Sequence, residues 1–172
     1  MKGWIAALAV VLAIPAVAQD HKQHGHLPYA GMQQRPLKAL GEQQIADLRA
    51  GKGMGLALAA ELNGYPGPLH VLELGDKLNL TTGQRQRLQE LYEAMKVEAI
   101  AAGEKLIEGE RLLDQEFATK KMTPDRLALL TTQIGEHPGR LRAVHLKYHL
   151  TTAELLSLDQ TQRYAELRGY RH

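Results

Sequence analysis

From Gln84 to Phe117 the positions Leu88, Tyr92, Met95, Ala99, Ala102, Leu106, Leu113 and Phe117 follow steps of three and four, with Gly109 in the remaining slot. That is the period of a helix with one buried stripe, about 36 residues long and roughly 55 Å from end to end. The other faces carry charges such as Arg85, Arg87, Glu90, Glu93 and Lys96. A second stripe runs from Pro124 to about Leu156 through Leu127, Leu130, Ile134, His137, Leu141, Val144, Tyr148, Thr152 and Leu155. "KKMTPDR" ends the first helix and starts the next, with Thr123 as cap and Pro124 in the first helical position. Two long stripes with so short a connection predict an antiparallel helical hairpin. Within "EHPGR" (136–140), Pro138 removes a helical hydrogen bond and Gly139 loosens the backbone, which predicts a kink or break.

The remaining elements are short. "LGEQQIADLRA" and "GLALAAELN" predict two helical pieces between residues 37 and 63, split by Gly51, Gly53 and Gly55. "NGYPGP" (63–68) reads as a compact turn, "LHVLELGDKL" (69–78) as another short helix, and residues 158–168 as a last helix ending at Gly169. The predicted fold is all-α: a long hairpin with additional short helices, in a single domain over residues 37–172. Residues 1–18, MKGWIAALAVVLAIPAVA, have a positive start, an apolar run and an A-x-A site, the pattern of a signal peptide cleaved between Ala18 and Gln19. The predicted location is therefore the periplasm, with no membrane-embedded segment after cleavage. Residues 19–36 are polar and aperiodic, as in a flexible, His-rich arm.

Composition narrows the function. The chain has no cysteine, so disulfide and thiol chemistry are absent. One Phe, with the single Trp in the leader, suits helices packed through Leu and Ala better than a sheet sandwich. A formal charge of only +2 gives no support to nucleic-acid binding. Eight histidines, all beyond the leader, are the feature that stands out.

"LTTGQ" (80–84) and "LSLDQ" (156–160) share a helix-start pattern: leucine, hydroxyl residue, two free positions, glutamine. Each predicts a capping box, in which the Thr81 or Ser157 hydroxyl accepts a first-turn N–H and Gln84 or Gln160 reaches back to the cap residue's own N–H. With Leu80 and Leu156, these paired motifs bracket the hairpin behind a leader. On these residues, about 69–170, the chain resembles the Spy/CpxP family of periplasmic LTxxQ-motif proteins, which includes ZraP-like and CnrX-like metal-responsive members. Ser157 departs from the motif's Thr and keeps the hydroxyl. The resemblance implies a cradle-shaped homodimer of long antiparallel helices and a non-enzymatic role. That role is ATP-independent protection of unfolded periplasmic proteins, restraint of a membrane-bound stress sensor, or binding of divalent metal.

The histidines fall into groups. His145 and His149 lie one helical turn apart and are able to reach one ion, with His70 and Glu73 of "HVLE" as further ligands. Imidazole suits Zn, Cu, Ni and Co. The other reading of the pair is packing for His145 and solvation for His149. In the arm, a mature terminus at Gln19 places His21 third, so that the α-amine, two amides and this imidazole make a square-planar site for Cu(II) or Ni(II), with His24 and His26 close by. The arm reads equally as a soluble tail rich in histidine.

No catalytic constellation emerges: Ser157 is the only serine, and Gly51–Gly55 lacks the spacing of a phosphate loop. The sequence thus points to a periplasmic stress-protection protein that also binds divalent metal, in heavy-metal resistance or envelope stress. Tyr92, Met95, Tyr148 and Leu155 are the candidates for holding clients, and equally for ordinary core. The alternative is a heavy-metal sensor or buffer without chaperone activity.

Overall fold

A computed structural model describes residues 29–170. The leader and His21, His24 and His26 lie outside the described residues. Six α-helices follow a single 3₁₀ turn at Met32–Gln34, with no strand among the described residues. They are α1 (Glu42–Arg49), α2 (Leu58–Glu61), α3 (Pro68–Glu73), α4 (Thr82–Ala118), α5 (Pro124–Leu155) and α6 (Leu158–Leu167).

The two long helices form where the stripes place them. Thr81 accepts the Gln84 N–H at 3.1 Å to start α4, and Thr123 accepts the Arg126 N–H at 3.2 Å to start α5. Contacts between them run in opposite order: Glu116 with Arg126, Glu98 with Lys147, Gln84 with Leu155. The pair is therefore antiparallel. Leu88, Met95, Ala99, Leu130, Leu141 and Tyr148 of the predicted stripes are buried, each large aliphatic one contributing about 1.5–3 kcal/mol.

Two expectations need correction. Of the kink or break expected at Pro138, the break does not occur: α5 is one helix from Pro124 to Leu155. Pro138 and Gly139 are both exposed, and the helix continues past the one hydrogen bond that Pro138 removes. The stripes also fail at the hairpin tip, where Phe117 is 55% and Leu127 38% exposed. Periodicity names a face without naming what covers it, and α1 docks further along, through Leu48 against Ala99, Ile107 and Leu141. There the Leu48 carbonyl comes so close to α4 that a Cβ on Gly103 would lie 2.9 Å from it.

Residues 37–68 dock on the hairpin. Leu37 and Leu40 join the α1 cluster, while Val71, Leu78 and Leu80 pack with Leu88 and Tyr164 of α6.

At that second cluster the two capping boxes lock together. Gln84 Oε1 accepts the Thr81 N–H and Gln160 Oε1 the Ser157 N–H, each at 3.0 Å. Gln84 Nε2 then donates to the Leu155 carbonyl (2.8 Å) and to Gln160 Oε1 (2.9 Å). Gln160 Nε2 donates to the Leu78 carbonyl (3.2 Å) and to Gln84 Oε1 (3.1 Å). Both amides therefore use both hydrogens and both acceptor sites. The pair ties the start of α4 to the α5–α6 junction and to the loop before α4. Replacing either glutamine by alanine is expected to cost about 2–3 kcal/mol in urea unfolding followed by helical circular dichroism. The double variant should cost at least about 1 kcal/mol less than the sum. Strict additivity would mean that the two amides act independently.

Candidate functional site

The loop between α1 and α2 turns through left-handed backbone at Gly51 (φ 66°), Met54 (φ 44°) and Gly55 (φ 77°). Next comes "NGYPGP", whose Pro66, Gly67 and Pro68 are buried, with Pro68 opening α3. These two segments and α3 lie over α4 and α5 and border a half-open cavity of about 380 Å³. His70, Met95, His145 and His149 border it, as do Met54 of the first loop and Tyr170 near the C-terminus.

Glu61 holds this roof down. It is the last residue of α2 and only 6% exposed. Its Oε1 accepts the Tyr164 hydroxyl and, at 3.1 Å, the Tyr170 hydroxyl; its Oε2 accepts the Gly67 N–H at 3.1 Å. Arg168 Nε lies 3.9 Å away. Burial and the bond to Glu61 hold the Tyr164 phenol well above its ordinary pKa, so it stays a donor. Sequence reading passed over Glu61; the available signal was one acid inside an otherwise Ala/Leu run, beside a Gly/Pro turn.

Both histidines of α5 are buried, His145 at 2% and His149 at 7% exposure. His149 Nδ1 is 2.7 Å from the Tyr65 carbonyl and 3.7 Å from Glu61 Oε2. A carbonyl only accepts, so Nδ1 carries the proton and, in the neutral ring, Nε2 keeps its lone pair. Gly67 is packed against that ring: a Cβ there would lie 2.9 Å from Cε1 and Nε2. His145 has a buried Nε2 with no hydrogen-bond partner. Burial, helped by neighbouring His149, pushes the His145 pKa below its ordinary value.

The structure thus brings His145, His149 and His70 to one cavity. Glu73 pairs with His70 Nδ1 at 3.2 Å and stands outside the lining. Among the described residues no group of three or more His, Asp or Glu is placed to hold a metal ion together. His137 borders a separate hollow with Glu98 and Lys105. Of the candidate client contacts, Tyr92 and Met95 border the histidine cavity. Tyr148 is buried and donates to Glu98 Oε1 at 2.8 Å, and Leu155 packs against the same cluster. No family model, curated protein or solved structure matches the chain.

Two outcomes are expected of the metal-free protein. The unfolded chain protonates His145 first, below about pH 6.5, so stability holds above that pH and falls as pH drops toward the depressed folded value. Urea midpoints between about pH 5 and 7.5 should therefore fall less steeply with acid in His145→Leu than in wild type; parallel slopes would contradict the burial argument. Gly67→Ala keeps an allowed backbone (φ −81°) but forces the His149 ring off Tyr65. It should lose about 1–3 kcal/mol and shift the His149 ring resonances. Unchanged stability and resonances would refute the close approach.

Proposed function

We propose that the chain is an exported, non-enzymatic metal-binding protein of the Spy/CpxP kind, serving as a periplasmic heavy-metal sensor or buffer. The observation that carries this reading is the pair of buried imidazoles one turn apart on α5, bordering one cavity, with the His145 Nε2 unpartnered. The Tyr65 carbonyl fixes the His149 tautomer and ring, the outer-shell arrangement that metal-ligating histidines share. The low pKa of His145 keeps its ring neutral near pH 7, which a ligand requires. An ion taken up here joins α5 to the roof built from residues 51–70, and that coupling is how capture reaches a partner surface, whether a membrane-bound sensor or a second copy in a cradle-shaped homodimer.

A stress-protection role rests on a different observation. Phe117, Leu127 and Leu129 are exposed near the hairpin tip, and weak apolar contact of that kind permits client release without nucleotide hydrolysis. It is the second reading, because Met95 and Tyr148, expected to hold clients, are buried. Calorimetric titration tests the first reading. The wild type should bind one transition-metal ion at this cavity with micromolar or tighter affinity, on the order of 8 kcal/mol, and His145→Ala/His149→Ala should lose it. Equal uptake by both proteins would place the ion elsewhere and defeat the assignment. Suppression of client aggregation by metal-free protein would favour the second reading.

A further inference from the structure

We infer that the ion this cavity selects is soft and monovalent, Cu(I), held by the two imidazoles and by methionine thioether rather than by carboxylate. The inference rests on the metal-binding reading above and narrows it.

The argument is one of elimination among the cavity's own donors. Both Glu61 oxygens are already engaged, by Tyr164, Tyr170 and the Gly67 N–H. Glu73 lies outside the lining and pairs with His70. Lys52 and Arg168 are cationic; Lys52 pairs with Asp47 at 2.8 Å, and Arg168 donates to the Tyr170 hydroxyl at 3.1 Å. His70 also borders the cavity, but it pairs with Glu73 through Nδ1 and its side chain is 39% exposed. The buried donors with a free lone pair are His145 and His149, joined by the two bordering methionines, Met54 and Met95.

Every donor in that set is neutral. Thioether is a soft ligand that favours Cu(I), while carboxylate and water suit harder ions. The absence of a three-membered His/Asp/Glu group among the described residues counts against a Zn site built from nitrogen and oxygen alone. It leaves a two-imidazole, thioether site untouched. His145, 98% buried, has an Nε2 with no partner, a polar atom left unsatisfied in the interior.

Met54 is a side-chain-bearing residue in left-handed backbone, set between Gly53 and Gly55 and 41% exposed. Such strain persists where the surroundings impose it, and the residue borders the cavity. Met95 approaches from α4, buried in the seam.

The test uses the full chain carrying His21→Ala/His24→Ala/His26→Ala, so that those imidazoles do not compete. Ag(I) serves as an air-stable probe, and Cu(I) is titrated anaerobically against a chromogenic Cu(I) chelator. One ion should bind per chain, shifting the methyl resonances of Met54 and Met95, with sulfur and imidazole scattering in the Cu(I) absorption spectrum. Met54→Leu, on an exposed loop, should weaken Ag(I) by about tenfold or more while leaving helical circular dichroism unchanged; Met95→Leu is the second variant. Zn(II) bound at His145 and His149 without Ag(I) binding would overturn this inference and leave the metal-binding reading standing. Binding of neither ion would overturn both. Ag(I) affinity unchanged in both methionine variants would overturn the thioether assignment.

Discussion

The site depends on a carboxylate in the wrong place by ordinary rules. Removing a carboxylate from water costs several kcal/mol even after relaxation, and Glu61 sits almost wholly inside. Its three hydrogen bonds, at about 1.5–3 kcal/mol each when one partner is charged, offset that cost only when all three donors are present together. They come from the turn after α2, from α6 and from the C-terminal residues. Satisfying one acid therefore requires distant parts of the chain to close around it. Once they have closed, Tyr65 and Gly67 stand where they hold the His149 ring.

The glutamine pair extends this dependence to the hairpin. Tyr164 reaches Glu61 only if α6 leaves α5 at the right angle, and that exit is where Gln84 and Gln160 exchange hydrogen bonds. A line of constraint thus runs from the first turn of α4, through α6 and Glu61, to the turn that orients His149. Each step is a saturated polar group, and leaving one unpaired in the interior costs more than the bond itself contributes. The His149 ring is thereby held in place, a preorganisation that would lower the cost of binding a ligand there.

How far this could be read from the chain follows from how local each signal is. The hairpin was legible because period and caps are properties of adjacent residues: Thr81, Thr123 and Ser157 all act within their own first turn. The break expected at Pro138 did not appear, since packing on both sides of one wet proline outweighs its local cost. Burial at Phe117 and Leu127 was overread, because a stripe does not say whether a third element lies over it. His145 and His149 were recognisable as a pair from their spacing, though His149 is buried where solvation was the competing expectation. Glu61 was invisible, because Tyr164 stands 103 residues away and no periodic pattern links them. Met54 went unread for a similar reason: nothing within Gly51–Gly55 links it to α5, and only the docked loop brings the residue to the histidines' cavity.

The central claim is that Glu61 and the turn it anchors fix the His149 ring in the metal-free protein, and the tautomer of His149 reports on it most directly. Long-range nitrogen–proton correlation spectra of metal-free protein labelled with ¹⁵N-histidine separate a protonated ring nitrogen from a bare one. The account predicts a single tautomer of the neutral His149 ring, with the proton on Nδ1, and loss of that single tautomer when Glu61 becomes alanine. A proton on Nε2, or averaging between tautomers in the unaltered protein, would contradict it.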